Sequence, residues 1–512
     1  MRPLLVTALA LAVLAVVVGW AAPVHKSSSA TAAAVGPRPA SGPLQTGIFD
    51  PFLFGSANGS ANQNLAFQRT KKAGASTALL YFSWRSMVAG GDTKPSDFDA
   101  SNPGDSHYRW PRIDAQVKAA VAAGLQPIAL VSEPPDWAAA QGVYGRNYQP
   151  SPSELKLFAT ALARRYSGTY QGLPRIRYWS VWNEPNLPFY LEPQIDNGVI
   201  ASAAWYRSMV NNFAEGVHGV LADNMVVAGN LAPFTSRTGT QDRWGIAPLT
   251  FMRAFLCLQP VCNEPAHFDI WAHHPYTSGG PNHKATRPND VCLGDLPKMR
   301  KVLVDGIRVG HVLSAPEVRF WVTEFSYESN PPDPGGLKPG LGARWTSEAL
   351  YRMWRAGVTQ VTWFLLTDQP YNSYFAQSGL YLRGSTSPQS DQPKRILQAF
   401  RFPFVAYQIG NPKAGSNRSA AYPRNGIRVL LWGRVPSGQR ERVVVEQRRG
   451  TTWRPIASLT TNKYGIFGRK VYAPTKGSVR ARAVDEREVS HVFSLARPKD
   501  RFVSPFGEGW GD

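Results

Sequence analysis

Short apolar runs of four to seven residues alternate along most of this chain with longer stretches in which apolar side chains recur every three or four positions. The first kind of run reads as a buried strand and the second as an amphipathic helix. Their alternation predicts βαβ units on a parallel sheet. Eight strands are expected: Thr46–Phe49, Thr77–Phe82, Gln126–Val131, Ile176–Trp182, Met225–Ala228, Phe268–Ala272, Arg319–Thr323 and Val361–Leu366. Three intervening helices are well signalled. Ser151-Pro-Ser-Glu154 supplies an N-cap, a first-turn proline and a capping-box glutamate. Leu155, Phe158 and Leu162 then line one face. Ile113, Val117 and Val121 form a second stripe, stopped by Gly124, and Trp345, Ala349 and Met353 a third, stopped by Gly357. All three stripes are expected to face the core.

Eight strands separated by helices are what a closed (β/α)8 barrel requires. The alternative is an open doubly wound sheet, which places a Gly-rich phosphate loop after its first strand. No such loop follows Phe49. In a barrel the carboxyl-side loops build the active site. The Pro/Gly-rich loops His283–Asp290 and Asn330–Gly342 are therefore expected to shape access to it.

Near Asn411–Asn417 the period changes to two. Alternating runs at Ile427–Trp432, Arg442–Glu446, Trp453–Leu459, Gly465–Val471 and Val479–Ala483, separated by turn residues, predict a small antiparallel sandwich of the immunoglobulin or fibronectin kind. The expected fold is thus α/β: a barrel over 45–407, an all-β sandwich over 408–500 and a mobile tail over 501–512.

Residues 3–22 carry no charge and follow Arg2, the arrangement of an export signal. The run exceeds the usual ~7–15 residues of a cleaved signal and approaches the ~20 that span a bilayer. A signal peptide over 1–24 and an uncleaved anchor both stay open. Either places the remainder outside the cytoplasm, secreted or held at the outer face of the membrane. Residues 25–44 are rich in Ser, Ala, Pro and Gly and read as a flexible linker. Three cysteines allow at most one internal disulfide. Cys257 and Cys262 are the expected pair because they lie closest in sequence, leaving Cys292 as a thiol.

The formal net charge is +21, and from Gln408 onward 20 Lys and Arg face 8 Asp and Glu, a local excess of +12. Such a field draws anionic partners: acidic polysaccharide, cell-wall polymer, lipid head groups or nucleic acid. It is equally the surface of an Arg-rich soluble protein. No nucleic-acid-binding motif is present, so nucleic acid is not an expected partner. Sixteen tryptophans offer stacking faces for sugar rings or simply fill the core.

Two carboxylates occupy matching positions. Glu184 ends the fourth strand in Tyr178-Trp-Ser-Val-Trp-Asn-Glu-Pro-Asn186, and Glu324 ends the seventh in Phe320-Trp-Val-Thr-Glu-Phe-Ser326. Carboxylates at the carboxyl ends of barrel strands point into the catalytic cavity. Glycosidic cleavage needs such a pair, one to protonate the leaving oxygen and one to attack the anomeric carbon or activate water. The bland alternative is that both are strand-end acids paired with arginines.

Trp182-Asn-Glu-Pro185 resembles the acid/base signature of clan A glycoside hydrolases, and Thr323-Glu-Phe325 is similar to their nucleophile strand. Within the clan the chain looks closest to family 39 and its family 5-type relatives. The resemblance implies a retaining enzyme with Glu184 as acid/base and Glu324 as nucleophile. It implies that Asn183 bonds the sugar 2-hydroxyl, that Tyr276 donates its hydroxyl to Glu324, and that His274 touches sugar or acid/base. It further makes Trp363 the platform under the cleaved sugar. A capping Asn, satisfied buried polar residues and a core Trp are the competing readings. One departure stands out: the second strand lacks the arginine many clan members place beside the nucleophile, and Arg85, just after Trp84, is the candidate substitute. No metal or cofactor is implied. A polysaccharide-degrading hydrolase, a transglycosylase using the same residues, and a non-catalytic glycan- or wall-binding protein on the same barrel all fit.

Overall fold

The computed structural model describes residues 31–32, 35–56, 58–141, 147–235, 245–314, 316–371, 377–409, 427–474 and 477–495. The expected signal or anchor (1–24) and the tail (501–512) lie outside them. Among the described residues no helix is long and apolar enough to cross a membrane.

Eight parallel strands close into a barrel: β1 (Gln45–Phe49), β2 (Thr77–Ser83), β3 (Gln126–Ser132), β4 (Tyr178–Val181), β5 (Met225–Leu231), β6 (Ile270–His273), β7 (Arg319–Phe325) and β8 (Val358–Phe364). Each follows its predecessor around the ring, and β8 closes on β1 through Trp363↔Ile48. Helices α1 (Ala61–Lys72), α2 (Pro111–Ala122), α3 (Pro152–Arg165), α4 (Ala201–His218), α5 (Pro248–Phe255), α6 (Leu296–Arg308), α7 (Pro339–Arg355) and α8 (Arg395–Arg401) follow the eight strands in turn. The strands are nearly continuous apolar runs because both faces are covered. Inward positions, among them Leu79, Ile128, Tyr178, Val227, Ile270 and Trp321, fill the barrel. Outward ones pack under the helices.

The helix signals act largely as expected. Ser151 Oγ accepts the Glu154 amide at 3.3 Å, but the Glu154 carboxylate turns to Lys94 Nζ, 2.7 Å away. Gly124 and Gly357 follow α2 and α7 at φ +72° and +95°, where a side chain would be strained. Leu155, Phe158, Leu162, Ala349 and Met353 are buried. Val121 is not: at 37% exposure it ends its stripe on the solvent side of α2. The loop expected over Asn330–Gly342 stops at Lys338, since Pro339 opens α7.

Two further expectations need correction. The linker over 25–44 is not free along its described part. Residues 31–32 pair with 313–314, Arg300 donates to Pro37 O, and Trp354 Nε1 donates to Gly42 O at 3.1 Å. Those bonds and the packing of Gly36 on Val304 and Ile307 fix a segment whose composition alone suggests freedom. Also, Phe404–Gln408 is not part of the barrel. It is β9 and pairs antiparallel with β10 (Ile427–Arg434), which pairs with β13 (Ile466–Ala473). The second sheet holds β11 (Arg442–Arg449), β12 (Thr452–Thr460), β14 (Ser478–Ala483) and β15 (Phe493–Ser494). Val429 and Leu431 from one sheet and Val443, Val445 and Ala481 from the other are fully buried, as alternation requires of a sandwich. The sandwich docks on α7 and α8: Trp432 packs on Tyr351 and Trp354, and Arg401 bridges to Glu488 at 2.6 Å.

Cys257 and Cys262 form the disulfide. Cys292 is a buried free thiol, and burial beside Asp295 pushes its pKa up to about 12.

Candidate active site

The carboxyl end of the barrel gathers the candidate residues. β4 stops at Val181 because Trp182 already has φ +64°, and Glu184 has φ +40°. Left-handed backbone at non-glycine residues costs about 1–3 kcal/mol each and persists only where the surroundings enforce it. Here Trp182 N donates to Val131 O at 2.9 Å and Glu184 N to Asn230 O at 3.0 Å. Trp182 Nε1 donates to Tyr190 O at 2.7 Å, locking the indole outside the barrel. The sharp turn carries Glu184 from the strand end to the mouth of the barrel, where its carboxylate is 16% exposed.

On β7 the pairing with β8 slips between Val322 and Phe325. Thr323 and Glu324 occupy that slip, and such irregularities re-aim side chains. On β6 the chain continues past His273 into His274-Pro-Tyr276. His274 Nδ1 lies 3.0 Å from Glu184 Oε1. The Tyr276 hydroxyl donates to Glu324 Oε1 at 2.8 Å, with its ring stacked on Phe325. One strand thus presents a separate partner to each carboxylate. His273 faces away from both: its Nε2–H donates to Val291 O at 2.8 Å, and burial lowers its pKa to about 3, so it is neutral.

Burial is the largest influence on Glu324 and raises its pKa. The positive field of His274 opposes this, the Glu184 carboxylate adds to it, and the Tyr276 hydrogen bond opposes it again. The direction that results is upward. Burial works against a charge on His274, but the fields of Glu324 and Glu184 outweigh it and raise its pKa. Glu324 and His274 thus each change the charge that the other feels.

Asn183 lies between the strand end and Glu184. Its Oδ1 is buried with no hydrogen-bond partner among the described residues, while a side-chain bond joins Asn183 to the Tyr190 hydroxyl.

Two expectations fail on geometry. Arg85 does not reach Glu324. Its Nη2 pairs with Asp136 Oδ1 at 2.8 Å and its Nε donates to Pro134 O, on a half-exposed side chain. The helical turn Trp84–Met87 carries it outward. Trp363 is 1% exposed and lies outside the barrel wall, packed on Phe400 of α8 and Phe325, with Nε1 donating to Ser378 O. That is a core tryptophan. Successive strand residues face opposite sides, so the inward position at the end of β8 belongs to Phe364, which packs with the barrel-filling residues.

Sequence reasoning passed over Tyr81, Glu133, Tyr190 and Asn230. Tyr81, inward on β2, bonds Ser132 and Glu133, and its pKa is raised by burial and then by Glu133. Glu133 follows β3 at φ +55°. Tyr190 lies within the fields of Glu184, Glu324 and Tyr81. The alternation of the second strand carries a signal for Tyr81, which continues the inward face of Leu79.

No protein-family model and no curated protein matches the chain. Among solved structures it is similar to a family 39 glycoside hydrolase from Bacteroides cellulosilyticus, at 15% identity over 84% of this chain and 81% of that one, with a TM-score of 0.50. It is also similar to a glucosidase from Croceicoccus marinus, at 12% identity over 86% and 96%, with a TM-score of 0.48. The first likeness shows that this chain shares the fold of the family 39 enzyme, a (β/α)8 barrel with additional β structure.

Proposed function

We propose that the protein is a retaining glycoside hydrolase acting on a β-linked oligo- or polysaccharide. The observation that carries this reading is the pairing at the mouth of the barrel: Glu184 against His274, and Glu324 against Tyr276. Two carboxylates within each other's field, each held by its own partner, are the equipment of glycosidic cleavage.

In this reading Glu324 attacks the anomeric carbon while Glu184 gives its proton to the departing oxygen. Tyr276 holds one oxygen of Glu324 and thereby aims the other. His274 holds Oε1 of Glu184 along the 3.0 Å contact and so fixes the direction in which the acid presents its proton. Glu184 then takes the proton of the incoming water, and the glycosyl–Glu324 ester opens. Asn183 offers its unpartnered Oδ1 to a sugar hydroxyl. In the same proposal the protein works outside the cytoplasm, and its basic sandwich meets an anionic glycan or wall polymer.

The test is covalent trapping. The purified protein is incubated with activated 2-deoxy-2-fluoro glycosides of the gluco, xylo, manno, galacto and glucurono series. A mass increase of one sugar, mapped to Glu324 and absent in Glu324→Gln, supports the mechanism and names the glycone. A folded protein that no reagent labels, yet that binds glycans on an array, favours the non-catalytic reading.

A further inference from the structure

We infer that Asn230 is a positioning residue that couples the two carboxylate-bearing strand ends into one unit. The inference rests on the reading of Glu184 and Glu324 given above. Asn230 lies where the pairing of β5 with β6 slips, between Gly229 and Leu231. It has φ +49° and Gly229 has φ +98°. Asparagine tolerates this left-handed region better than most residues. A Cβ at position 229 would meet Ala272 O at 2.3 Å, so β5 can approach β6 here only through glycine. The bulge turns the Asn230 side chain into the barrel end.

The backbone oxygen and the side-chain amide of Asn230 serve one catalytic strand or the other. Its backbone oxygen accepts the Glu184 amide at 3.0 Å. Its Nδ2 donates to Trp182 O at 2.8 Å and to Ser180 Oγ at 2.9 Å, both on or just beyond β4. Its Oδ1 accepts the Thr323 hydroxyl at 2.7 Å, one residue before Glu324. Asn230 is 1% exposed and Thr323 is also 1% exposed, so water does not compete. The left-handed turn at Trp182–Glu184 is held from one side by this amide, and β7 is held from the other. The distance between the carboxylates is therefore set through Asn230, although it touches neither carboxylate.

The experiment compares full-length wild type with Asn230→Ala, Asn230→Asp, Thr323→Val and Thr323→Ser. Aryl glycosides with good and poor leaving groups are the substrates, and rates are taken per folded molecule. Misplacing a reacting group by ~1 Å costs about 100-fold. Asn230→Ala is expected to lose about that factor in kcat with KM little changed, and more on poor leaving groups, which need the acid. Asn230→Asp, equal in size but lacking the donor, is expected to behave like alanine. Thr323→Val should lose about tenfold, a smaller misplacement, and Thr323→Ser should restore it. If Asn230→Ala does not fold, the Thr323 pair decides. Variants that lose only melting temperature, or whose losses fall on KM alone, overturn the inference. Titration of 13C-labelled glutamate carboxyls needs no turnover. A wild type whose Glu184 and Glu324 titrate independently refutes the functional reading. A coupled wild type with an equally coupled Asn230→Ala refutes only the inference.

Discussion

His274 on the β6 side of the mouth holds Nδ1 3.0 Å from Oε1 of Glu184, a residue 90 positions earlier. The imidazole is 2% exposed and answers to both carboxylates. This contact joins Glu184 to a side chain that also lies in the field of Glu324. General acid catalysis contributes about 10²–10⁴-fold. Glu184→Ala should lose that much on substrates with poor leaving groups and little of the first step with a dinitrophenyl leaving group. Added azide should restore turnover and yield a β-glycosyl azide, identified by NMR.

In the proposed mechanism the acid limb of kcat/KM reports ionisation of Glu324 in the free enzyme. Glu324 is raised from the ordinary glutamate range by burial and the Glu184 charge, so this limb should lie above that range. Tyr276 stabilises the ionised form, because it donates to it. Tyr276→Phe should therefore move the acid limb further upward and reduce kcat at neutral pH by about 10-fold, the scale of one charge-assisted hydrogen bond. A downward shift would contradict the hydrogen bond's role.

The same shift carries a stability consequence. A carboxyl whose folded pKa exceeds its unfolded value binds its proton more tightly when folded. Stability is then lost as pH rises from the unfolded pKa through the folded one, and the penalty is complete above it. Glu324→Gln removes the penalty. It should raise stability at neutral pH by about 1 kcal/mol, as substitutions at strained functional sites commonly do. The gain should shrink as pH falls below the folded pKa. Thermal melts of both proteins across this range check it.

Trp363 and Phe364 have opposite duties despite being neighbours. Trp363→Ala empties a site under α8 and should cost about 3–5 kcal/mol, while Trp363→Phe should cost less and leave KM unchanged. Phe364→Ala should raise KM, since that ring faces the barrel interior. Urea melts and initial rates on the same preparations separate the two.

Arg85 makes an exposed ion pair with Asp136. Exposed pairs contribute about 0–1 kcal/mol. Arg85→Ala should leave both the acid limb and kcat close to wild type. A large shift of the limb would restore Arg85 as a partner of Glu324.

The sequence by itself determined the order of strands and of the helices between them, the change to a two-residue period after the barrel, and one glutamate just beyond the fourth strand and another at the end of the seventh. These are local properties: periodicity reports which face of an element is buried, and a strand's end is marked where its apolar run stops. Even the Cys257–Cys262 pair is local. What only the tertiary structure decided are relations across the barrel. Which of Trp363 and Phe364 looks inward depends on the register of β8 against β1, and a one-residue change reverses both. Arg85 was near the nucleophile in sequence logic alone; a single helical turn takes it to Asp136. Asn230 had no signal beyond an Ala-Gly-Asn-Leu stretch, because its partners Trp182 and Thr323 lie 48 and 93 positions away. A hydrogen bond between residues so distant leaves no trace in the spacing of either, since its geometry exists only once the ring of strands has closed.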